Sequence, residues 1–241
     1  KSSELKQLHT KTVTFGQDVI MQCDISQVKN KRNLGLYRQS FGKLPQFIAR
    51  WYGQKDSTLL EGFNDKRFSV TAKDQKFDLS INNVKEDDGG EYFCTELEGS
   101  NLKFTSGTRL QFEGTNFDIK DLHVKTVKRG EAVTMECNIS EGRNRYSVAW
   151  YRKSFGKVPQ FLVRPYKGNQ SYVFVDGFTD SRFSVTVEDQ KFDLNINGIR
   201  EDDGGEYFCG YVEGSTVKFT SGTRLQFEGA SSSNHQTPTN Q

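Results

Sequence analysis

The sequence predicts an all-β protein made of two similar domains in tandem. In each half, apolar and polar residues alternate with a period of two, as in the run Phe77–Ile81, and this alternation is typical of half-buried antiparallel strands. Clusters of Gly, Asn, Asp and Lys interrupt the runs at intervals of about 8 to 12 residues. The second half of the chain repeats the first. No segment carries a helical apolar stripe with caps.

The repeat defines the domain organisation. Gly62–Cys94 and Gly177–Cys209 differ at 8 of 33 positions, and KFTSGTRLQFEG occurs in both halves. The offset between the copies is 114 residues early in the chain and 115 later. We therefore expect domain 1 at 1–114, domain 2 at 115–229 with little or no linker between them, and a polar tail at 230–241.

Composition excludes several classes of function. The chain has 33 Lys and Arg against 31 Asp and Glu, a formal charge of +2. It therefore has no strong positive electrostatic field that would attract nucleic acid or an anionic membrane. No run approaches the roughly 18 to 20 apolar residues that a membrane span needs. There is no initiator Met and no signal segment, so we expect a processed or shortened soluble fragment.

The four cysteines indicate an extracellular protein. They are separated by 71 residues in the first half and 72 in the second. An even count at matched long spacings predicts one disulfide in each half, hence an oxidising compartment. No CxxC pair and no Cys/His cluster occurs, so no metal site is expected. The predicted pairs are Cys23–Cys94 and Cys137–Cys209.

Repeated motifs resemble those of V-type immunoglobulin domains. D-x-G-x-Y-x-C ends at Cys94 and again at Cys209. Earlier in each copy an RFSV strand begins at Arg67 or Arg182, and VAWYRK contains Trp150. F-T-S-G-T resembles the joining-segment motif F-G-x-G-T with its first Gly replaced. The resemblance covers about 229 of 241 residues and implies two tandem V-type immunoglobulin β-sandwiches.

The resemblance also implies structural roles. The tyrosine before the second cysteine would form the tyrosine corner, and the arginine would pair with the aspartate. Trp150 would pack on its disulfide. Among V-type proteins the chain resembles the novel immune-type receptors of bony fish, although CD8-like coreceptors and antibody or T-cell-receptor V regions share the hallmarks. The structural residues implied are Arg67, Asp88, Tyr92, Trp150, Arg182, Asp203 and Tyr207.

Domain 1 departs from the pattern because Leu36 stands where domain 2 has Trp150. A leucine cannot fill the space of an indole, so neighbours must repack or a void remains. We expect isolated domain 1 to be less stable than isolated domain 2. Trp51 is expected near the loop edge, where its replacement by Ala would barely alter stability.

No catalytic constellation is evident. His9 and His123 occupy equivalent positions of the two copies, and His235 lies in the tail. The acidic run Glu86–Asp88, repeated at Glu201–Asp203, is better explained by the arginine pairs and by solvated turns than by a calcium site. We expect neither an enzyme nor a cofactor.

Binding through loops is the leading hypothesis, because immunoglobulin sandwiches carry function in the loops at one end. The first loop is basic in both domains, the second is aromatic, and the third is short and acidic. Exposed aromatics with mixed charge are typical of protein recognition. The candidate ligand-binding residues are Lys29, Lys31, Arg32, Trp51, Tyr52, Glu96, Leu97, Glu98, Arg143, Arg145, Tyr146, Tyr166, Tyr172, Tyr211 and Glu213.

A sheet face that pairs V domains is also predicted. In domain 1 it comprises Tyr37, Gln39, Pro45, Phe47, Phe93 and Phe104. Lys153 replaces Gln39 in domain 2, and a symmetric pair would bring two ammonium groups together. We therefore expect any homodimer to form through domain 1. The negligible linker is expected to keep the two faces of one chain apart.

The sequence thus predicts the ectodomain of a cell-surface immune-type receptor that binds a protein ligand on another cell or a pathogen. Two alternatives stay open: an adhesion or CD8-like coreceptor module that uses flat sheet faces, and a secreted pathogen- or carbohydrate-binding protein. A membrane anchor beyond Gln241 would favour the receptor. N-glycosylation is expected at the sequons of Asn138 and Asn169.

Overall fold

The computed structural model describes residues 6–51, 63, 65–73, 75–114, 122–139, 145–165, 172–175, 181–188 and 190–229. Over these ranges the chain forms two β-sandwiches, and the predicted all-β class is confirmed. Short 3-10 turns are found at Lys31–Asn33, Glu86–Asp88, Arg145–Ser147 and Glu201–Asp203.

Domain 1 consists of two facing sheets, whose strands are β1 (His9–Val13), β2 (Val19–Gln22), β3 (Leu34–Gln39), β4 (Gln46–Arg50), β5 (Phe68–Lys73), β6 (Lys76–Ile81), β7 (Gly90–Glu98) and β8 (Asn101–Phe112). The larger sheet has the order β1-β8-β7-β3-β4, and the smaller has the order β2-β6-β5. β1 runs parallel to β8, and the other pairs are antiparallel.

Domain 2 repeats this arrangement with β9 (His123–Val127), β10 (Val133–Met135), β11 (Val148–Lys153), β12 (Gln160–Pro165), β13 (Tyr172–Phe174), β14 (Phe183–Glu188), β15 (Lys191–Ile196), β16 (Gly205–Glu213) and β17 (Thr216–Phe227). The larger sheet has the order β13-β12-β11-β16-β17-β9, and the smaller has the order β10-β15-β14. The described strands of domain 1 all have a counterpart in domain 2, as the sequence repeat predicts. Domain 2 has the edge strand β13 in addition, and the corresponding part of domain 1 lies outside the described residues.

Each domain has its own core and its own disulfide. Cys23–Cys94 and Cys137–Cys209 join the facing sheets, which confirms one bond in each half. Inward residues such as Phe77 and Leu79 of β6 are almost fully buried. Among the described residues, sheet ladders stay within a domain, and one isolated bridge, Gln7 to Lys157, crosses between domains. Each domain thus contains the core and cross-link that it needs to fold alone.

The tryptophans differ from expectation in domain 1. Trp150 is fully buried, and its Nε1 donates to the backbone oxygen of Phe192 at 2.6 Å. Trp51 is also buried, at 7% exposure, in the same cluster as Leu36 and Phe77. Its placement at the loop edge was wrong. Domain 1 thus carries its core indole directly after β4, whereas domain 2 carries its own in β11, the counterpart of β3.

The expectation that Leu36 leaves domain 1 short of core volume is therefore corrected. Trp51 occupies the position equivalent to Pro165 of domain 2. Its ring packs 5.7 Å from that of Phe77, the counterpart of Phe192. The indole of Trp51, which directly follows β4, thus restores apolar volume in the core cluster that contains Leu36. This packing removes the reason for expecting domain 1 to be the less stable of the two.

Candidate functional site

The two domains pack against each other through the faces of their larger sheets. We call this contact the seam. It is apolar, and its buried members are Tyr37, Phe93, Leu97, Leu102, Phe104, Leu122, Ala149, Tyr151, Val158, Phe161, Phe208, Val217 and Phe219. Most of these side chains come from β3, β7 and β8 and their counterparts β11, β16 and β17, which are adjacent strands of the two larger sheets.

Two reciprocal tyrosine contacts connect the domains at the seam. The hydroxyl of Tyr37 accepts the backbone N–H of Val217 at 2.8 Å, and that of Tyr151 accepts the backbone N–H of Leu102 at 3.1 Å. The four residues form two equivalent pairs of the repeat. Burial raises the pKa of both phenols, so both stay protonated at any physiological pH.

A polar cluster lies beside the tyrosines. Lys153 Nζ is 2.8 Å from Glu91 Oε2, and both side chains are about 5% exposed. Gln39 Nε2 donates to Glu206 Oε2 at 3.0 Å. Burial raises the pKa of Glu206. Arg109 Nη1 lies 3.5 Å from Glu91 Oε1 at the edge of the cluster.

The seam overturns the predicted homodimer face. The six residues assigned to it belong to domain 1: Tyr37, Gln39, Phe93 and Phe104 are buried at the seam, Phe47 packs against it and Pro45 is buried. Domain 2 of the same chain covers this face. Lys153 does not meet a second ammonium, because it is directed at a carboxylate of the opposite domain.

The expectation that a negligible linker would keep the two faces of one chain apart was wrong. The second repeat does not begin with its first strand. Residues 113–122 separate Phe112, which ends β8, from His123, which begins β9. A segment of that length spans roughly 35 Å when extended. That length lets the faces of one chain meet.

Side chains crowd one motif glycine at the seam. A Cβ on Gly222, the glycine of F-T-S-G-T in domain 2, would lie 2.6 Å from the Leu44 side chain of domain 1 and 2.9 Å from the Phe208 side chain of domain 2. A larger residue at this position would therefore force neighbouring side chains in both domains to shift. Two backbone hydrogen bonds also join the domains: Leu8 N donates to Gly156 O at 2.9 Å, and Val158 N donates to Lys6 O at 3.1 Å.

The first loop of domain 1 is fixed by Glu96. Its buried carboxylate accepts the backbone N–H groups of Lys29 and Asn30 at 2.9 and 3.1 Å. The Asn30 side chain in turn accepts from Arg32 N at 3.0 Å. Glu96 was predicted to touch ligand, but its charge is instead used to order the loop. Leu97 is likewise buried, in the seam.

The exposed loop residues of domain 1 are mainly basic. The Lys29 side chain is 80% exposed and lies 3.8 Å from Glu98. Arg32 is exposed, and the Lys31 ammonium lies 5.7 Å from the centre of the Trp51 ring. Trp51 itself, predicted as a contact residue, is in the core.

Domain 2 supplies fewer described loop residues. Glu213 is exposed, Tyr146 and Tyr172 are half-buried, and the Tyr172 ring packs 5.4 Å from Phe174. Tyr211 was predicted to bind ligand but is buried in the core. Arg145 begins a 3-10 turn. Four predicted residues lie outside the described ranges: Tyr52, Arg143, Tyr166 and Asn169.

The residues that the family pattern assigned to structure lie at the base of each domain. Arg67 donates to both carboxylate oxygens of Asp88 at 2.6 and 3.0 Å, and Arg182 does so to Asp203 at 2.7 and 3.2 Å. The Tyr92 and Tyr207 hydroxyls donate to the backbone oxygens of the same aspartates at 2.6 and 2.5 Å. The acidic runs are thus parts of turns.

Asn138 is exposed and lines an open groove of about 400 Å³ between β9, β17 and the segment after β10. Its glycosylation stays a prediction. His9 and His123 are exposed, and within the described ranges no three His, Cys, Asp or Glu side chains are grouped to hold a metal ion.

Sequence reasoning missed the pairing of the two faces and its polar cluster. Both signals were present, as a glutamate in each GEYFC motif and a lysine in VAWYRK. Their side chains belong to different domains, so no spacing within one repeat could connect them.

The comparisons agree with this architecture. Residues 7–113 and 122–228 each match the immunoglobulin V-set domain family. Human T cell receptor beta variable 5-4 is 32% identical over 82 residues, 34% of this chain and 68% of that protein. Human immunoglobulin lambda variable 4-3 is 28% identical over 81 residues, 34% of this chain and 65% of that protein.

Solved structures of higher identity come from Ictalurus punctatus. The extracellular fragment of novel immune-type receptor 11 is 72% identical, covers 45% of this chain and 100% of that chain, and has a TM-score of 0.43. That of novel immune-type receptor 10 is 72% identical, with the same coverages and a TM-score of 0.42. Each fragment thus corresponds to about one half of the present chain.

Proposed function

The chain belongs to the immunoglobulin V-set family, and we propose that this immune-receptor ectodomain binds a protein ligand through one surface shared by its two domains. The loops of both domains would contribute to that surface. The seam supports this proposal, because it brings the loop ends of the two sandwiches side by side.

The observation that carries the proposal is a contact across the seam at the loop end. Arg50, the last residue of β4, donates from Nη1 to the hydroxyl of Ser215 in the turn between β16 and β17. Leu102 and Val217, next to the third loops, are buried in the same cluster. A ligand that touches the third loop of domain 2 would therefore also meet domain 1.

The chemistry of this surface favours a protein over a small molecule. Among the described residues, the crevice that crosses the seam here holds about 10 Å³, whereas small-molecule pockets measure roughly 300–1,000 Å³. Lys29, Lys31 and Arg32 give the domain 1 side a positive charge. These cations suit acidic groups of a folded partner, and the exposed Glu213 of domain 2 suits a basic group beside them.

The coreceptor alternative is less well supported. A coreceptor of that kind would use flat sheet faces, but the larger-sheet faces of both domains are occupied by each other. A secreted protein, the other alternative, would bind through the same loops and would differ in lacking a membrane anchor. Among the described residues, no helix has the length and apolarity to cross a bilayer. We propose a cell-surface location, which the complete transcript would test.

A binding screen with paired variants tests the proposal. The multimerised ectodomain would be applied to a library of cells that each display one surface protein. For a ligand found this way, Arg32→Glu in domain 1 and Glu213→Lys in domain 2 should each weaken binding at least tenfold. Lys66→Glu, an exposed charge reversal in the turn before β5, is the matched control and should leave binding unchanged.

The result also separates the alternatives. Loss of binding in only one of the two loop variants would contradict a shared surface. Binding unchanged in both would favour contact through another part of the molecule, as in the adhesion hypothesis.

A further inference from the structure

The turn that follows β15 contains the only Asn-Gly pair of the chain, Asn197–Gly198. Both residues are exposed and lie outside the strands. Gly198 has a φ of +60°, and among the described residues a Cβ built on it would meet only Arg182 Cδ, at 3.7 Å. The Asn197 side chain and the peptide bond that follows it are therefore open to water, and no side chain on Gly198 shields them.

The backbone N–H of Gly198 is unpaired. Among the described residues, none accepts a hydrogen bond from it. The equivalent residue of domain 1 is Asn83, whose N–H donates to the Asp18 carboxylate at 2.9 Å. Ala132 stands in domain 2 where domain 1 has Asp18, and it has no side-chain acceptor. Domain 2 thus leaves free a backbone amide that domain 1 holds in a hydrogen bond.

We propose that Asn197 is a site of spontaneous deamidation, with the Gly198 nitrogen as the nucleophile and water as the co-reactant. The nitrogen forms a bond to Asn197 Cγ, the Cγ–Nδ2 bond breaks, and ammonia leaves with the proton that the Gly198 nitrogen gives up. The product is a cyclic succinimide.

Water then opens the succinimide at either of its two carbonyl groups. Opening at one gives aspartate, and opening at the other gives isoaspartate, in which the main chain passes through Cβ and Cγ. The net reaction exchanges an amide for an acid and involves no oxidation or reduction. At neutral pH the new acid is ionised, so the turn gains a negative charge.

Isoaspartate would distort this turn, because hydrogen bonds hold the turn on both sides. Asn197 N donates to Arg182 O at 2.8 Å, and Ile199 N donates to Glu131 O at 2.9 Å. Arg182 Nη1 donates to Gly198 O at 3.1 Å and also to Asp203. One additional main-chain atom before Gly198 misaligns these bonds. Deamidation should therefore destabilise domain 2 and leave domain 1 unchanged.

Peptide mapping by mass spectrometry tests the proposal on the folded full chain. The protein is kept in mildly alkaline buffer and sampled over several weeks. The peptide that contains Asn197 should gain the mass difference between an amide and an acid, and isoaspartyl methyltransferase should label part of the product. Asn82, the exposed counterpart of Asn197 in domain 1, is the internal control and should convert about tenfold more slowly.

Two variants that copy domain 1 separate the causes. Ala132→Asp supplies the acceptor that Asp18 supplies in domain 1, and it should slow the reaction at Asn197. Gly198→Asn places a side chain on the nucleophilic residue and should slow the reaction further. This variant should fold, because Asn83 has a φ of 52° at the equivalent position. Circular dichroism checks the fold of both variants.

Three results would count against the proposal. Equal conversion of Asn82 and Asn197 would overturn it, and so would an Asn197 that stays intact in the folded chain but converts in the reduced, urea-unfolded chain. An Ala132→Asp protein that deamidates as fast as the unchanged chain would overturn the role of the unpaired N–H. The structural consequence is checked on isolated domain 2, whose urea midpoint should fall as isoaspartate accumulates.

Discussion

The indole of Trp51 lies 5.7 Å from the ring of Phe77, in the part of the domain 1 core that corresponds to the meeting of Trp150 and Phe192 in domain 2. The two domains therefore fill a similar region with tryptophans from different strands. Trp150 comes from β11, whereas Trp51 follows β4. This difference explains how domain 1 tolerates Leu36 at the position where domain 2 carries Trp150.

We predict that Trp51→Ala and Trp150→Ala destabilise their domains by similar amounts, about 3–5 kcal/mol each, because both remove a buried aromatic side chain. Urea unfolding of the two isolated domains measures this. Ile20→Ala, which truncates a side chain that is 53% exposed, is the control and should change the free energy of unfolding little. A loss below 1 kcal/mol for Trp51→Ala would mean that its indole does not support the core.

The two substitutions in domain 1 should be energetically coupled. Leu36→Trp alone inserts a second indole into a filled region and should cost roughly 1–3 kcal/mol by overpacking. Combining it with Trp51→Pro, which reproduces the domain 2 pattern, should recover at least 1 kcal/mol of the summed single losses. Strict additivity in a double-mutant cycle would show that the two side chains do not share space.

The seam tyrosines can be tested one at a time. Tyr37→Phe removes the acceptor of the Val217 N–H, and Tyr151→Phe that of the Leu102 N–H. An unpaired buried N–H costs about 1–3 kcal/mol. Each variant should accelerate hydrogen exchange of its own amide about tenfold or more. Tyr92→Phe, whose hydroxyl bonds within domain 1, should not affect either amide.

The stability of the closed seam should also depend on pH, through Glu206. Burial raises the pKa of Glu206 above the ordinary value of 4.5, so the closed seam favours the protonated carboxyl group. Its contribution to stability is therefore fully present below that ordinary value and is lost as the pH rises through the raised pKa. Glu206→Gln should be more stable than the unchanged chain at pH 7.5, and the difference should shrink towards pH 4. A constant difference in urea midpoints would contradict this.

The sequence predicted the fold closely because its signals are local. The alternation in β6 and the tyrosine-corner motif act within one strand or turn, and each occurs twice. The disulfides followed from matched spacing. These features do not depend on how the domains meet.

The site was predicted less well because it depends on contacts between distant residues. Glu96 and Tyr211 are a charged and an aromatic residue near loops, which suggests ligand contact, yet one orders a loop and the other fills a core. Lys153 was taken as a barrier to pairing because its partner, Glu91, belongs to the other domain. Only the three-dimensional arrangement identifies that partner.

The central claim, that one chain closes its own two V faces on each other, is tested most directly by small-angle X-ray scattering of the full chain. A single compact unit of this length has a radius of gyration of about 18 Å. Two domains of about 13 Å each, held roughly 40 Å apart without a seam, would give about 24 Å. We predict a concentration-independent value of about 18–20 Å, and a value near 24 Å for the monomer would contradict the account.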